Sequence, residues 1–367
     1  MYRDAAVVGS TLPQGTLCLT FDDGPGETTG PGFGPRTLEL AHYLHGEGVR
    51  ATFFMVGKFA SDLPGLLPAI EALGHLIANH SYDHPNLVEH ASHGGDVASQ
   101  VARTSALIRN WIDAPVVYVR PPYGAWSAVV ADTLNENLST ALSHFGPIGW
   151  EIDAGDWECW RDGLTPQTCM DRYLAEIEAK RGGIVLLHDC TADQETVKRG
   201  NRTLETVKLL VPELKRRGYT FVRLDDVPGM EPHPHSAIRL ALRGSNGLYV
   251  SPQAGGGGPI HVDGPAVGPW EPLVMEDLYV GKVALRAANG LYVSPQSGGG
   301  GNVLANGPAV GPWEPLDLIS LGNRNVALRT ITGDFLTVGT GPGNPLSAAG
   351  PRLSLTPQAV FTYEFLP

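Results

Sequence analysis

A chain of 367 residues, 42% hydrophobic and 17% charged, is long enough for two packed domains and too apolar for a disordered protein. Against 26 Lys and Arg stand 38 Asp and Glu, a net charge of −12, which argues against a nucleic-acid-binding face and against docking to anionic membrane. No apolar run approaches the roughly 18 residues of a membrane helix, and Met1-Tyr2-Arg3-Asp4 lacks the basic start and apolar core of a signal peptide, so the chain is expected either to work inside the cell or to have lost a leader.

The apolar run Leu17-Cys18-Leu19 predicts a buried strand and leads into Thr20-Phe21-Asp22-Asp23-Gly24-Pro25. Two adjacent carboxylates at a strand end repel unless a cation or proton compensates them, so they fit a metal site, an acid/base site or an exposed turn. Helix patterns follow at 36–46, with Leu38, Leu40, Ala41 and Leu44 as the apolar stripe, and at 63–73, 96–112, 129–137, 165–180 and 204–217. Between them, strands are predicted at 50–56, 75–78, 116–119, 150–152, 183–187 and 220–224. About seven β-then-α units imply a mainly parallel sheet with helices outside, of a length that suits a barrel related to the TIM type. The Gly-rich stretch 26–35 reads as a surface insertion or a lid. Cys18 and Cys190 fall in or beside predicted core strands as free thiols, while Cys159 and Cys169 are spaced either for a disulfide or for two free thiols.

Residues 227–237 form a Pro-rich linker, in which His233 and His235 read as a polar spacer or as metal ligands. Beyond it the sequence repeats. Ala241-Leu-Arg-Gly-Ser-Asn-Gly-Leu-Tyr-Val-Ser-Pro-Gln253 returns almost unchanged 43 residues later at 284–296, and a weaker copy opens another 43 residues on, at Ala327-Leu-Arg329. Three such units of short alternating strands and tight turns, without a helix pattern, occupy 238–367 and point to one all-β domain with a shared core. Trp270 and Trp313 occupy equivalent places and read either as sugar platforms or, preferentially, as core or interface residues; the third copy has Thr356 there. The Gly-rich loops 255–258 and 298–301 read as turns.

The remaining candidate groups fall in a pattern. His80 and His84 follow the strand at 75–78, and a helical turn there would put both imidazoles on one side. Arg120 follows 116–119, Asp153 and Asp156 follow 150–152, and His188 and Asp189 follow 183–187. All lie at the C-terminal ends of predicted strands, the end that carries Asp22 and Asp23 and the face where parallel barrels build active sites.

Five motifs in order, Thr20-Phe-Asp-Asp-Gly-Pro25, His80-Ser-Tyr-Asp-His-Pro85, Arg120-Pro-Pro-Tyr-Gly124, Asp153-Ala-Gly-Asp-Trp157 and Leu186-Leu-His-Asp189, resemble those of the NodB-type polysaccharide deacetylases, carbohydrate esterase family 4. The resemblance spans 16–226 and implies a distorted (β/α) barrel for a catalytic domain over 1–226. The repeats resemble a fascin-like β-trefoil over 238–367, with a propeller as the weaker option because three blades fall below the usual four to eight. Asp23, His80 and His84 are then implied to hold a divalent metal, zinc first, with cobalt or nickel as alternatives. Asp22 is implied as the base that activates the metal's water, with Arg120 as its partner. The metal and the backbone N–H of Tyr123 are implied to stabilise the oxyanion. His188 is implied as the acid, oriented by Asp156, and Trp157 and Leu186 are implied to wall the acetyl pocket. Asp153 and Asp189 receive no firm role, and Trp126 and Trp160 read as sugar-stacking or packing residues.

The implied activity is removal of acetyl from N-acetylglucosamine units of chitin, chito-oligosaccharide or peptidoglycan. The alternatives are an O-deacetylase of acetylated xylan and a non-catalytic glycan- or filament-binding protein. The implied partners are the carbohydrate substrate and a glycan or protein ligand of the repeat domain, with no nucleic acid. By resemblance the location is secreted or cell-envelope.

Overall fold

The computed structural model describes residues 2–114, 116–137, 143–230, 237–279, 282–322, 324–348 and 355–366. His233 and His235, and most of the expected linker, lie outside them. The chain divides into two compact units, one of Tyr2–Leu134 with His144–Pro232 and the other of Asn135–Ser143 with His233–Pro367.

The first unit is α/β with parallel strands. Its strands are β1 (Tyr2–Val7), β2 (Thr16–Gly24), β3 (Thr52–Met55), β4 (Leu76–Asn79), β5 (Val117–Tyr118), β6 (His144–Ile148), β7 (Gly183–His188) and β8 (Thr220–Phe221). One sheet runs β4-β3-β2-β7 with β8 paired to the start of β2; a second runs β1-β6-β5. Single parallel bridges, Asn79 to Val119 and Ile152 to Val185, join strand edges between them. β2 is buried along its whole length, as expected of a parallel strand covered on both faces.

Register brings the motifs together. In the β2–β7 ladder Thr20 lies opposite Leu186 and Asp22 opposite His188, and Met55 of β3 pairs Asn79 at the end of β4, the residue before His80. Helices pack outside. The 14-residue helix Thr203–Arg216 buries Leu204, Val207, Leu210, Val211 and Leu214 on one stripe. Asp96 caps the helix Val97–Ile108 by accepting the Ser99 N–H at 2.8 Å, and Thr165 caps Pro166–Lys180.

Some expectations fail for local reasons. The strand expected at 150–152 is reduced to the one bridge at Ile152, because the Glu151 carboxylate takes the Ile184 N–H at 2.8 Å. The true strand is β6, disguised in sequence by Gly146-Pro147. The helix expected at 63–73 is shortened to Leu66–Ala72, starting only after Pro64-Gly65, and a separate helix that was not expected, Gly57–Asp62, precedes it. The helix over 96–112 ends at Ile108 and tightens into a 3-10 turn, Arg109–Trp111. Strand β1 was not legible, since its interior is exposed and lacks alternation. Cys159 and Cys169 are buried free thiols, as are Cys18 and Cys190, so the disulfide alternative falls. Trp160 is buried, and Trp126, half-buried, donates its indole N–H to the Arg3 carbonyl at 2.9 Å. The 26–35 stretch closes on itself, with Arg36 donating to the Gly30 and Gly32 carbonyls and Glu27 bridging Arg36.

The second unit is β-rich. Six strands, β9 (Ala237–Arg243), β12 (Leu273–Tyr279), β13 (Lys282–Arg286), β16 (Leu316–Gly322), β17 (Asn325–Arg329) and β20 (Phe361–Phe365), pair antiparallel in a closed ring, β20 returning to β9. Three hairpins accompany it: β10 (Tyr249–Pro252) with β11 (Ile260–Gly264), β14 (Tyr292–Pro295) with β15 (Val303–Gly307), and β18 (Thr337–Val338) with β19 (Leu346–Ser347). Leu242, Leu285 and Leu328, equivalent by the 43-residue period, meet in one core. Trp270 and Trp313 are not core residues: they are 43% and 42% exposed. The neighbouring glutamates turn inward instead, Glu271 accepting from Ser251 Oγ at 2.7 Å and the Gly268 N–H at 2.8 Å, and Glu314 from the Gly311 N–H at 2.8 Å.

Candidate active site

A regular strand would send Asp22 and Asp23 to opposite faces. The β2–β3 ladder shifts register between Phe21 and Gly24, and Asp23 takes a left-handed backbone, φ 70°. Both carboxylates therefore face one cleft of about 410 Å³. Gly24 is required for space: a Cβ there would sit 2.2 Å from the Asp189 carboxylate.

His80 and His84 reach the same point without a helix. Residues 80–86 are turn and coil, and Ser81 and His84 have φ of 65° and 62°. The expected helical turn is replaced by two left-handed residues. His84 Nε2 lies 2.9 Å and His80 Nε2 3.3 Å from Asp23 Oδ1, and ligand atoms of the three residues lie within 4.8 Å of one another. Each ring's other nitrogen is anchored, His80 Nδ1 by the Arg120 carbonyl at 2.8 Å and His84 Nδ1 by Asp193 Oδ1 at 3.2 Å. Because both anchors only accept, each neutral ring carries its proton on Nδ1 and turns the Nε2 lone pair inward. Two lone pairs and a carboxylate at one buried point call for a positive charge among them, and the donor set suits a divalent cation. Burial raises the pKa of Asp23, but hydrogen bonds with His80 and His84 outweigh it and hold the carboxyl well below its usual range. Burial lowers that of His84, and the hydrogen bonds to Asp193 and Asp23 prevail, lifting it to about 9.

Asp22 stands beside this triad, its Oδ2 3.7 Å from His80 Nε2. Arg120, fully buried, donates to Asp22 Oδ1 at 2.7 Å. Its other hydrogen bonds run to Thr20 Oγ1 at 2.8 Å and to the Gly149 and Ile148 carbonyls at 3.0 and 3.3 Å. The guanidinium also lies 4.2 Å from the Phe54 ring centroid. With its donors directed this way, the Arg120–Asp22 pair is fixed in geometry.

Across the cleft, His188 Nδ1 meets Asp156 Oδ1 at 2.8 Å. Asp156, fully buried, also accepts the backbone N–H groups of His188 at 2.7 Å and Trp157 at 2.9 Å. The bond leaves His188 Nε2 for the cleft that the ring lines. Burial pulls the imidazole's pKa down, yet the Asp156 charge and hydrogen bond overcome it and raise it to about 10. Trp157, Leu186 and Asp153 line the same cleft, as does Tyr123, whose φ is 60°. Burial raises the pKa of Asp153.

Asp189 turns away, taking a short hydrogen bond from Thr37 Oγ1; burial raises its pKa to about 7. Sequence reasoning passed over Asp193, which holds His84 and accepts the Tyr123 hydroxyl at 2.7 Å. The hydrogen bond from His84 holds Asp193 below the usual carboxylate range against partial burial. Its one signal was a carboxylate four residues past Asp189, still on the loop that follows β7. Trp150, Gln194 and Val197 also line the cleft and were not foreseen.

A family profile described as polysaccharide deacetylase matches residues 9–140. A chitooligosaccharide deacetylase of Azorhizobium caulinodans is 33% identical over 219 residues, 58% of this chain and 93% of the relative. The chain belongs to the polysaccharide deacetylase family. Within that family, the peptidoglycan-N-acetylglucosamine deacetylase PgdA of Listeria monocytogenes is 29% identical over 213 residues, 58% of this chain and 39% of the relative. A crystallised peptidoglycan N-acetylglucosamine deacetylase shares 25% identity with a TM-score of 0.49, covering 63% of this chain and 95% of its own.

Proposed function

We propose that this family member is a hydrolase that removes acetyl groups from N-acetylglucosamine units of a chitin-type or peptidoglycan glycan, using a divalent metal. The observation that carries the reading is one cleft in which a two-histidine, one-carboxylate cluster stands between an arginine-held carboxylate and a carboxylate-held histidine. The activities for which these relatives are named, on chitooligosaccharide and on peptidoglycan, support the substrate class.

Asp23, His80 and His84 would hold the cation, which when bound supplies Lewis-acid polarisation of the acetyl carbonyl and makes water a better nucleophile. Asp22 takes the proton of the attacking water, and Arg120 keeps that carboxylate ionised and aimed. The Tyr123 backbone N–H donates to the oxygen that becomes negative in the tetrahedral state. His188 Nε2–H protonates the departing sugar nitrogen; Asp156 orients the ring and favours its charged form. Trp157 and Leu186 wall the place of the acetyl methyl, and Asp153 contributes a polar rim for sugar hydroxyls.

For the second unit we propose a β-trefoil of the fascin-like kind. The closed ring of six strands, the three hairpins and the 43-residue period support it. The exposed faces of Trp270 and Trp313 favour contact with a glycan there.

Acetate release is to be measured from chito-oligosaccharide, peptidoglycan and acetylated xylan, with and without chelator, alongside Asp22→Ala and His188→Ala. The expected result is chelator-sensitive release from the first two with new free amines, abolished in both variants. Release from xylan alone would replace this reading with an O-deacetylase. Chelator-insensitive release or full activity in Asp22→Ala would overturn the mechanism, and no release from any substrate would leave a binding protein.

A further inference from the structure

The two histidines of the cluster are anchored by different means. His80 Nδ1 is tied to a main-chain carbonyl, that of Arg120, which continues from β5. His84 Nδ1 is tied to a side chain, Asp193, on the loop that leaves β7. That carboxylate uses both oxygens: Oδ1 meets His84 at 3.2 Å and Oδ2 accepts the Tyr123 hydroxyl at 2.7 Å. The His84 and Tyr123 rings themselves lie 4.8 Å apart, closing a triangle. One residue earlier, the Ala192 N–H donates to Asp23 Oδ2 at 3.1 Å. The loop that begins after His188 thus grips two of the three cluster residues, Asp23 through its backbone and His84 through Asp193.

We infer that Asp193 is a positioning residue: it fixes the tautomer and ring plane of His84 for metal, and through the Tyr123 hydroxyl it fixes the 120s turn whose backbone N–H faces the reacting carbonyl. This rests on the functional reading above. Asp193 touches neither metal nor the scissile bond in that reading. It ties together the two elements, ligand and N–H donor, that must be in register with one another. Its Oδ1 accepts the Nδ1 proton, so Nε2 keeps its lone pair. Its reach to Tyr123 counters the freedom of a side chain that is otherwise 59% exposed.

The test uses the full chain and three readouts. Zinc affinity is measured by competition with a chromophoric chelator, and the visible spectrum of the cobalt-loaded protein reports ligand geometry; kcat and KM on chito-oligosaccharide are measured beside them. Asp193→Ala is expected to weaken zinc binding about 10- to 100-fold, to change the cobalt spectrum and to lower kcat at saturating metal. Asp193→Asn, which keeps an acceptor for His84, is expected to recover most of the zinc affinity, and it carries the comparison should the alanine variant unfold. Tyr123→Phe cuts only the second arm, and is expected to keep zinc affinity within two-fold while kcat falls. Wild-type zinc affinity and an unchanged cobalt spectrum in Asp193→Ala, with a wild type that binds zinc and turns over, would overturn this inference alone. A wild type that binds no zinc would overturn the functional reading and this inference with it.

Discussion

Both units of the chain bury carboxylates, and they use them differently. In the β-rich unit, Glu271 is closed by Ser251 and the Gly268 N–H, and Glu276 by Arg286 at 2.7 Å and the Tyr292 hydroxyl at 2.8 Å. These groups bind their own turns and strand pairs and face structural partners. In the α/β unit, Asp22 and Asp23 are as deeply buried, yet they and His80, His84 and His188 line an open cleft. Burial of charge does not by itself mark a site. The mark is a buried charge held in place by partners on one side with acceptor capacity left facing a cavity.

The sharpest way to break this contrast is to remove a carboxylate from each side. Asp22→Asn is expected to lower deacetylation about 10²- to 10⁴-fold with little change in fold, whereas Glu271→Gln should leave kcat within two-fold and lower stability by about 1–3 kcal/mol. Acetate release and thermal melts read both. Equal loss of activity in the two variants would erase the distinction.

A smaller effect is expected in the pH profile. In the proposed mechanism His188 is the acid and must be protonated; its pKa is raised to about 10, against the burial that lowers it, chiefly by Asp156. Activity should fall as pH rises through about 10, and Asp156→Asn should move that limb down toward the ordinary value of about 6.5. Because the folded value lies above the unfolded one, the stabilisation from His188 is full below about 6.5 and is lost as pH rises through about 10. An alkaline limb unmoved in Asp156→Asn would remove His188 from the role.

The sequence carried most of the cleft in its punctuation. Charged and ring nitrogen groups at strand ends announced Asp22, Asp23, His80, His84, Arg120, Asp156 and His188, because a parallel fold gathers strand ends on one face. What it hid was conformational. The register shift at Asp23 and the left-handed residues at 81 and 84 leave no residue signal, since none of the three is glycine. β6 was masked by Gly146-Pro147, and Asp193 lies a loop's length beyond its strand. In the repeats the period disclosed three equivalent units, yet the inward residue of each Trp-Glu pair was the glutamate, because the turn before it offers a backbone N–H that only an acceptor can satisfy.

Asp189 sharpens the contrast further. It is a buried acid in the α/β unit that does not face the cleft, and its pKa is raised by burial to about 7. Its folded value lies above the unfolded one, so the stability it confers is present below about 3.9 and declines as pH rises through about 7. Asp189→Asn should flatten that decline in melting temperature between pH 4 and 7; parallel curves for variant and wild type would discount it. The smallest effect on turnover is expected from Trp270→Ala with Trp313→Ala. Hydrolysis of soluble chito-oligosaccharide should stay within two-fold, while adsorption to insoluble chitin falls several-fold. Unchanged adsorption would deny the second unit a glycan role.

Asp23, Ser81, His84 and Tyr123 all hold left-handed backbone angles without being glycine. Such conformations persist only where the surroundings over-determine them. The consequence is one of portability. Copying these side chains onto another parallel α/β fold would carry over the chemistry's inventory but not its placement, because the placement is written in the main chain. A directed-evolution campaign that selects only for thermal tolerance would be drawn to glycine at these same positions, relaxing the backbone and blurring the aim of the groups it carries.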